Sequence, residues 1–124
     1  MVRRLVVTTA ISFLATACGS DSGLPPSPPT AGSTITITSS GVSPKSLLVS
    51  PGTQVTFTNS DSRDHEMTSD PHPEHTDCPA INTVDLVVPG QSKQTSNLNT
   101  VRTCGYHDHR NPENAAMRGT ITIQ

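Results

Sequence analysis

Thr34-Ile35-Thr36-Ile37-Thr38 alternates an apolar β-branched residue with a polar one at every step. Successive side chains of an extended chain leave opposite faces, so this stretch puts Ile on one face and Thr on the other, as a half-buried strand requires. Thr120-Ile121-Thr122-Ile123 repeats the pattern at the far end of the chain. Between them, β-forming runs at 46–49, 54–59, 83–88, 92–98 and 101–104 are punctuated by turn pairs such as Pro51-Gly52 and Pro89-Gly90. No run has a helical period. The spacing predicts an all-β fold, an antiparallel β-sandwich or barrel with Greek-key connections. Its core must be aliphatic, because Phe57 and Tyr106 are the only aromatic residues beyond residue 17.

The chain has 124 residues and a mass of 13.1 kDa, room for one small domain and too little for a multidomain enzyme. Its net charge of −2 argues against a nucleic-acid partner. Residues 1–17 read as an export signal: Arg3 and Arg4 form a basic start, the next ten residues are mostly apolar, and Ala15-Thr16-Ala17 supplies small residues before Cys18. Small residues followed by Cys resemble a bacterial lipobox, which implies lipidation at Cys18 and membrane contact through that anchor. Simple secretion after cleavage is the alternative. Residues 18–32, rich in Gly, Ser and Pro, have almost nothing to bury and predict a flexible tether. The folded domain is expected over 33–124. That is a length of roughly 90 residues, at which a metal or a disulfide commonly supplements the core.

One region stands outside the strand pattern. Residues 60–82 are polar, rich in Asp, Pro and His, and too long for an ordinary hairpin loop. They hold His65, His72, His75 and Cys78, while Cys104, His107 and His109 sit together near the C-terminus, so all five histidines and both cysteines beyond Cys18 fall in two places. Cys104-Gly105-Tyr106-His107 puts a thiol and an imidazole at the end of a strand, and Met117 adds a thioether before the last strand. A site that serves both Cu(I) and Cu(II) uses one thiolate, two imidazoles and a weak axial thioether. His107 and His109 share a face if their segment is extended, and His72 and His75 could form a second site for copper or zinc with Asp70 or Asp77. No Gly-x-Ser-x-Gly elbow, phosphate-binding glycine loop or His-Glu-x-x-His is present to suggest a hydrolase.

The chain resembles the cupredoxin family, in particular its plastocyanin-like domains. Residues 41–49 and 51–59 look like the N-terminal half of such a domain, Val88-Pro89-Gly90-Gln91-Ser92 like the turn into a late strand, and Cys104-x-x-His107 with Met117-x-Gly119-Thr120 like the C-terminal copper loop. The resemblance implies copper as cofactor, His65, Cys104 and His107 as equatorial ligands, Met117 as axial ligand, and one-electron transfer to redox partner proteins in the periplasm or at the membrane, by a monomer without enzymatic activity. His72, His75 and His109 are further candidate ligands. Two features depart from the pattern: Asp108 to Ala116 separate His107 from Met117, and the segment 69–82 is an insertion. In an oxidising compartment Cys78 and Cys104 also form a natural disulfide pair. The alternative is thus a non-redox extracytoplasmic protein with a Cys78–Cys104 bridge and histidines holding copper or zinc.

Overall fold

The computed structural model describes residues 23–124. The expected signal segment 1–17 and the lipidation site Cys18 lie outside the described residues. Among the described residues, ten strands form two sheets. β1 (Thr30–Ala31), β4 (Ser46–Val49), β10 (Arg118–Ile123), β9 (Arg102–Asp108), β6 (His65–Ser69) and β7 (Asp85–Val87) make the first, in the order β1-β4-β10-β9-β6-β7. β3 (Gly41–Ser43), β2 (Thr34–Thr38), β5 (Thr56–Asn59) and β8 (Ser92–Gln94) make the second, in the order β3-β2-β5-β8. Short 3-10 helices at Pro79–Thr83 and Ala115–Met117 lead into β7 and β10.

The Ile/Thr alternation does what its period demands. Ile35 and Ile37 of β2 and Ile121 and Ile123 of β10 are buried, while the intervening threonines lie toward the outside. They meet Leu47, Val49, Val55 and Phe57 in one core between the sheets. Each such aliphatic side chain contributes about 1.5–3 kcal/mol by leaving water. Phe57 and Tyr106 join the layers edge to face, with ring centroids 5.2 Å apart.

Two features differ from the sequence reading. The sheets are mixed, because β1 and β10 run parallel to β4, and β2 runs parallel to β5. A chain that crosses repeatedly between two layers can return beside a strand of the same direction, as β10 does beside β4. The second difference is β6, whose sequence His65-Glu66-Met67-Thr68-Ser69 is too polar to announce a strand yet is buried at every residue except Glu66. It lies between β9 and β7, covered on both faces.

Tyr106 sets a steric limit on β10. A Cβ on Gly119 would overlap the Tyr106 hydroxyl and lie 2.5 Å from the Lys45 carbonyl oxygen. Burial pushes the Tyr106 phenol pKa up, so it stays neutral. Gly119→Ala is therefore expected to cost about 1–3 kcal/mol through overpacking. A lower urea midpoint at unchanged slope is the expected observation, and an unchanged midpoint would contradict this packing.

Candidate metal centre

Strand β9 distributes its chemistry by alternation. Cys104 and Tyr106 are buried in the core, whereas Gly105 and His107 belong to the opposite face, and His109 follows one residue past the strand end. The loop that leaves β6 then runs along β9 over Gly105. Asp70 N–H donates to the Gly105 carbonyl at 3.0 Å, Gly105 N–H donates to Asp77 Oδ2 at 2.9 Å, and Asp77 N–H donates to the Asp70 carbonyl at 2.8 Å. Arg102 donates to the other Asp77 oxygen. A disulfide between Cys78 and Cys104 fastens the end of this loop to the strand.

The result is that His72 and His75 lie over His107 and His109. Each of the four offers a ring nitrogen, and these nitrogens all lie within 4.8 Å of one another. Ring centroids are 4.9 Å apart for His72 and His109, 4.8 Å for His75 and His109, and 5.2 Å for His75 and His107. His109 Nδ1 faces His75 Nε2 at 3.2 Å. Nitrogens that share one metal at about 2.0–2.1 Å would stand roughly 3–4 Å apart, so the widest pairs of rings would close in by about 1 Å or more. His107 is buried, His75 and His109 are half-buried, and His72 is exposed.

Local structure favours the ligand form of His75. Burial, followed by the neighbouring charges of His109, His107 and His72, holds the His75 pKa below the ordinary 6.5, while Glu66 acts weakly the other way. His75 is therefore neutral at pH 7, as a metal ligand must be. Its backbone has φ of 53°, a left-handed conformation that costs a non-glycine residue energy but that His tolerates better than most. The turn is tied by His75 N–H donating to the Pro71 carbonyl at 2.7 Å and by Asn82 Nδ2 donating to the His75 carbonyl at 2.9 Å.

Solved structures similar in fold include a purple cupredoxin from Nitrosopumilus maritimus, at 18% identity and a TM-score of 0.56 over 75% of this chain and 100% of that one. The oxidised plastocyanin of Dryopteris crassirhizoma is similar at 20% identity, with a TM-score of 0.56 over 73% of this chain and 99% of that one. The chain has the cupredoxin fold. A mutant amicyanin in its reduced Cu(I) form is also similar, at 17% identity and a TM-score of 0.57 over 73% of this chain and 80% of that one. No protein-family model and no curated protein matches the sequence.

Within this cupredoxin domain, His107 joins the histidine cluster, while the other residues that the resemblance implied as ligands have different partners. Cys104, read from the sequence either as a thiolate ligand or as half of a bridge, is bonded to Cys78. His65 sits in a buried carboxylate clamp. Its Nδ1 faces Asp108 Oδ2 at 2.8 Å and its Nε2 faces Asp61 Oδ2 at 3.0 Å, so both ring nitrogens are engaged. That hydrogen bond to His65, with help from Ser62 N–H and Arg63, outweighs burial and lowers the Asp61 pKa. Met117 is buried beside a cleft of about 230 Å³ that His65 and Asp108 also line. Of the implied equatorial set only His107 joins the cluster, and its companions are the further candidates His72, His75 and His109.

The donor set decides which copper chemistry fits. Four imidazoles suit Cu(II) or Zn(II), whereas a blue centre needs the thiolate that the bridge removes. Alternation around Asp108 was the signal for His107 and His109. Nothing local marks the partnership with His72 and His75, which depends on the loop being fastened across β9.

Proposed function

We propose that this chain is an exported copper-binding protein whose cupredoxin domain holds the metal through His72, His75, His107 and His109, with Cys78–Cys104 as a structural staple. The observation that carries this reading is the convergence of four ring nitrogens within 4.8 Å while Cys104 is committed to a disulfide. Copper is favoured over zinc because nitrogen sites bind Cu(II) more tightly than Zn(II), and because a structure similar in fold is a Cu(I) form. A disulfide persists in an oxidising compartment, which supports export by the 1–17 segment.

Bound copper would supply a one-electron couple. The residues of the chain determine how it is held and reached. β9 presents His107, with His109 just past its end, the stapled loop presents His72 and His75, and the exposed His72 edge is where a protein partner would approach to exchange an electron or the metal.

Titration of purified Cys18→Ser protein with Cu(II) tests this. One equivalent should bind, with weak absorption, nitrogen-only electron paramagnetic resonance features, and no free thiol in the native protein. An intense thiolate-to-copper band accompanied by a free Cys104 would overturn it.

A further inference from the structure

Asp70 of the loop is in hydrogen-bond contact with one of the clustered rings. Its Oδ1 lies 2.6 Å from His107 Nδ1, while Arg118 is a more distant neighbour of the same oxygen at 3.7 Å. An ionised carboxylate only accepts, so Nδ1 of His107 carries the proton and donates it to Asp70. The remaining nitrogen, Nε2, is thereby the one with a free lone pair. Its own neighbour, Thr68 Oγ1, is 3.4 Å away, a weak contact that a metal could replace.

Gly105 makes this arrangement possible. Residues 105 and 107 share a face of β9, and a Cβ at 105 would collide with Asp70 Oδ2 and approach its carboxyl carbon. The carboxylate thus occupies the side-chain position that Gly105 leaves empty, beside His107. Its backbone is held there by the Asp70 N–H bond to the Gly105 carbonyl.

Resting on the four-histidine reading above, we propose that Asp70 is a positioning residue of the metal centre: it fixes the tautomer and orientation of His107 so that Nε2 is the ligating atom, and Gly105 is required to admit it. Carboxylates that accept from a ligating imidazole orient the ring and raise its basicity, and their loss commonly weakens metal binding about 10–100-fold. Asp77 provides the internal comparison. It ties the same loop to Gly105 N–H and Arg102 but makes no contact with a clustered histidine.

Cu(II) affinity, measured by competition with a chelator, and Cu(II) electron paramagnetic resonance separate these roles in the Cys18→Ser background, with Asp70→Asn, Asp70→Ala, Gly105→Ala and Asp77→Asn compared. Asp70→Ala and Gly105→Ala are expected to weaken binding about 10–100-fold and to change the copper hyperfine splitting. Asp70→Asn, which can still accept from Nδ1 but lacks the charge, should fall between them and the unaltered protein. Asp77→Asn should lower thermal stability while leaving the spectrum unchanged. Equal affinities and identical spectra for Asp70→Ala and the unaltered protein would overturn the proposal, as would indistinguishable behaviour of the Asp70 and Asp77 variants. Failure of the unaltered protein to bind Cu(II) would instead refute the four-histidine site itself.

Discussion

Replacing Cys78 and Cys104 together by serine is expected to lower the melting temperature by roughly 15–25 °C. The bridge spans 26 residues, and closing a loop of that length removes enough freedom from the unfolded chain to be worth about 3.5 kcal/mol. In a domain this small each kcal/mol moves the midpoint by about 4–8 °C. Both sulfurs are nearly or fully buried, so the bond is a permanent staple rather than an exposed redox group. Cys78→Ser alone should destabilise about as much as Cys104→Ser alone. If Cys104 were instead a free ligand, Cys78→Ser would leave stability unchanged and Cys104→Ser would act mainly on the metal. Differential scanning calorimetry of the metal-free variants distinguishes the outcomes.

Removal of a clustered histidine should damage metal binding more than removal of any neighbouring group. His107→Ala takes away the buried ligand and leaves Asp70 without its donor, so Cu(II) affinity is expected to fall by more than the roughly 100-fold that bounds the loss of an outer carboxylate. His75→Ala and His109→Ala should act similarly, because their nitrogens face each other across the site. His72→Ala should act least, since that ring is exposed and keeps more freedom. The informative contrast is Met117→Leu, which nearly conserves volume and should leave affinity and spectrum untouched. Chelator competition for each variant checks the order, and a Met117→Leu effect as large as that of His107→Ala would contradict it.

The parts of the fold that were legible in the sequence are those whose hydrophobic pattern is local. Ile35, Ile37, Ile121 and Ile123 announce their strands because burial on one face dictates a two-residue period. β6 was not legible, since His65, Thr68 and Ser69 are buried by satisfying one another's neighbours rather than by being apolar. Ser69 N–H donates to Asn82 Oδ1, and His65 meets Asp61 and Asp108. The run at 92–98 shortens to β8 because Thr95 N–H turns to the Val55 carbonyl and Leu98 makes only an isolated bridge with Thr53.

The candidate site divides in the same way. His107 and His109 were readable as a pair from strand alternation alone. The fate of His65 was not, because the Asp108 that engages it is 43 residues away and on the other side of the pairing between β6 and β9. His72 and His75 reach the cluster only through Asp70, Asp77 and Cys78, each bound to β9 across a long sequence interval. Cysteine counting left the free thiol and the bridge both open, and the geometry of the loop is what separates them.

The position of the metal is the most direct test. Anomalous diffraction from crystals of the copper-loaded protein should place one strong peak among His72, His75, His107 and His109, with Nε2 of His107 as a ligand and Cys104 still joined to Cys78. A peak between His65 and Met117, with a sulfur of Cys104 within bonding distance, would contradict the account.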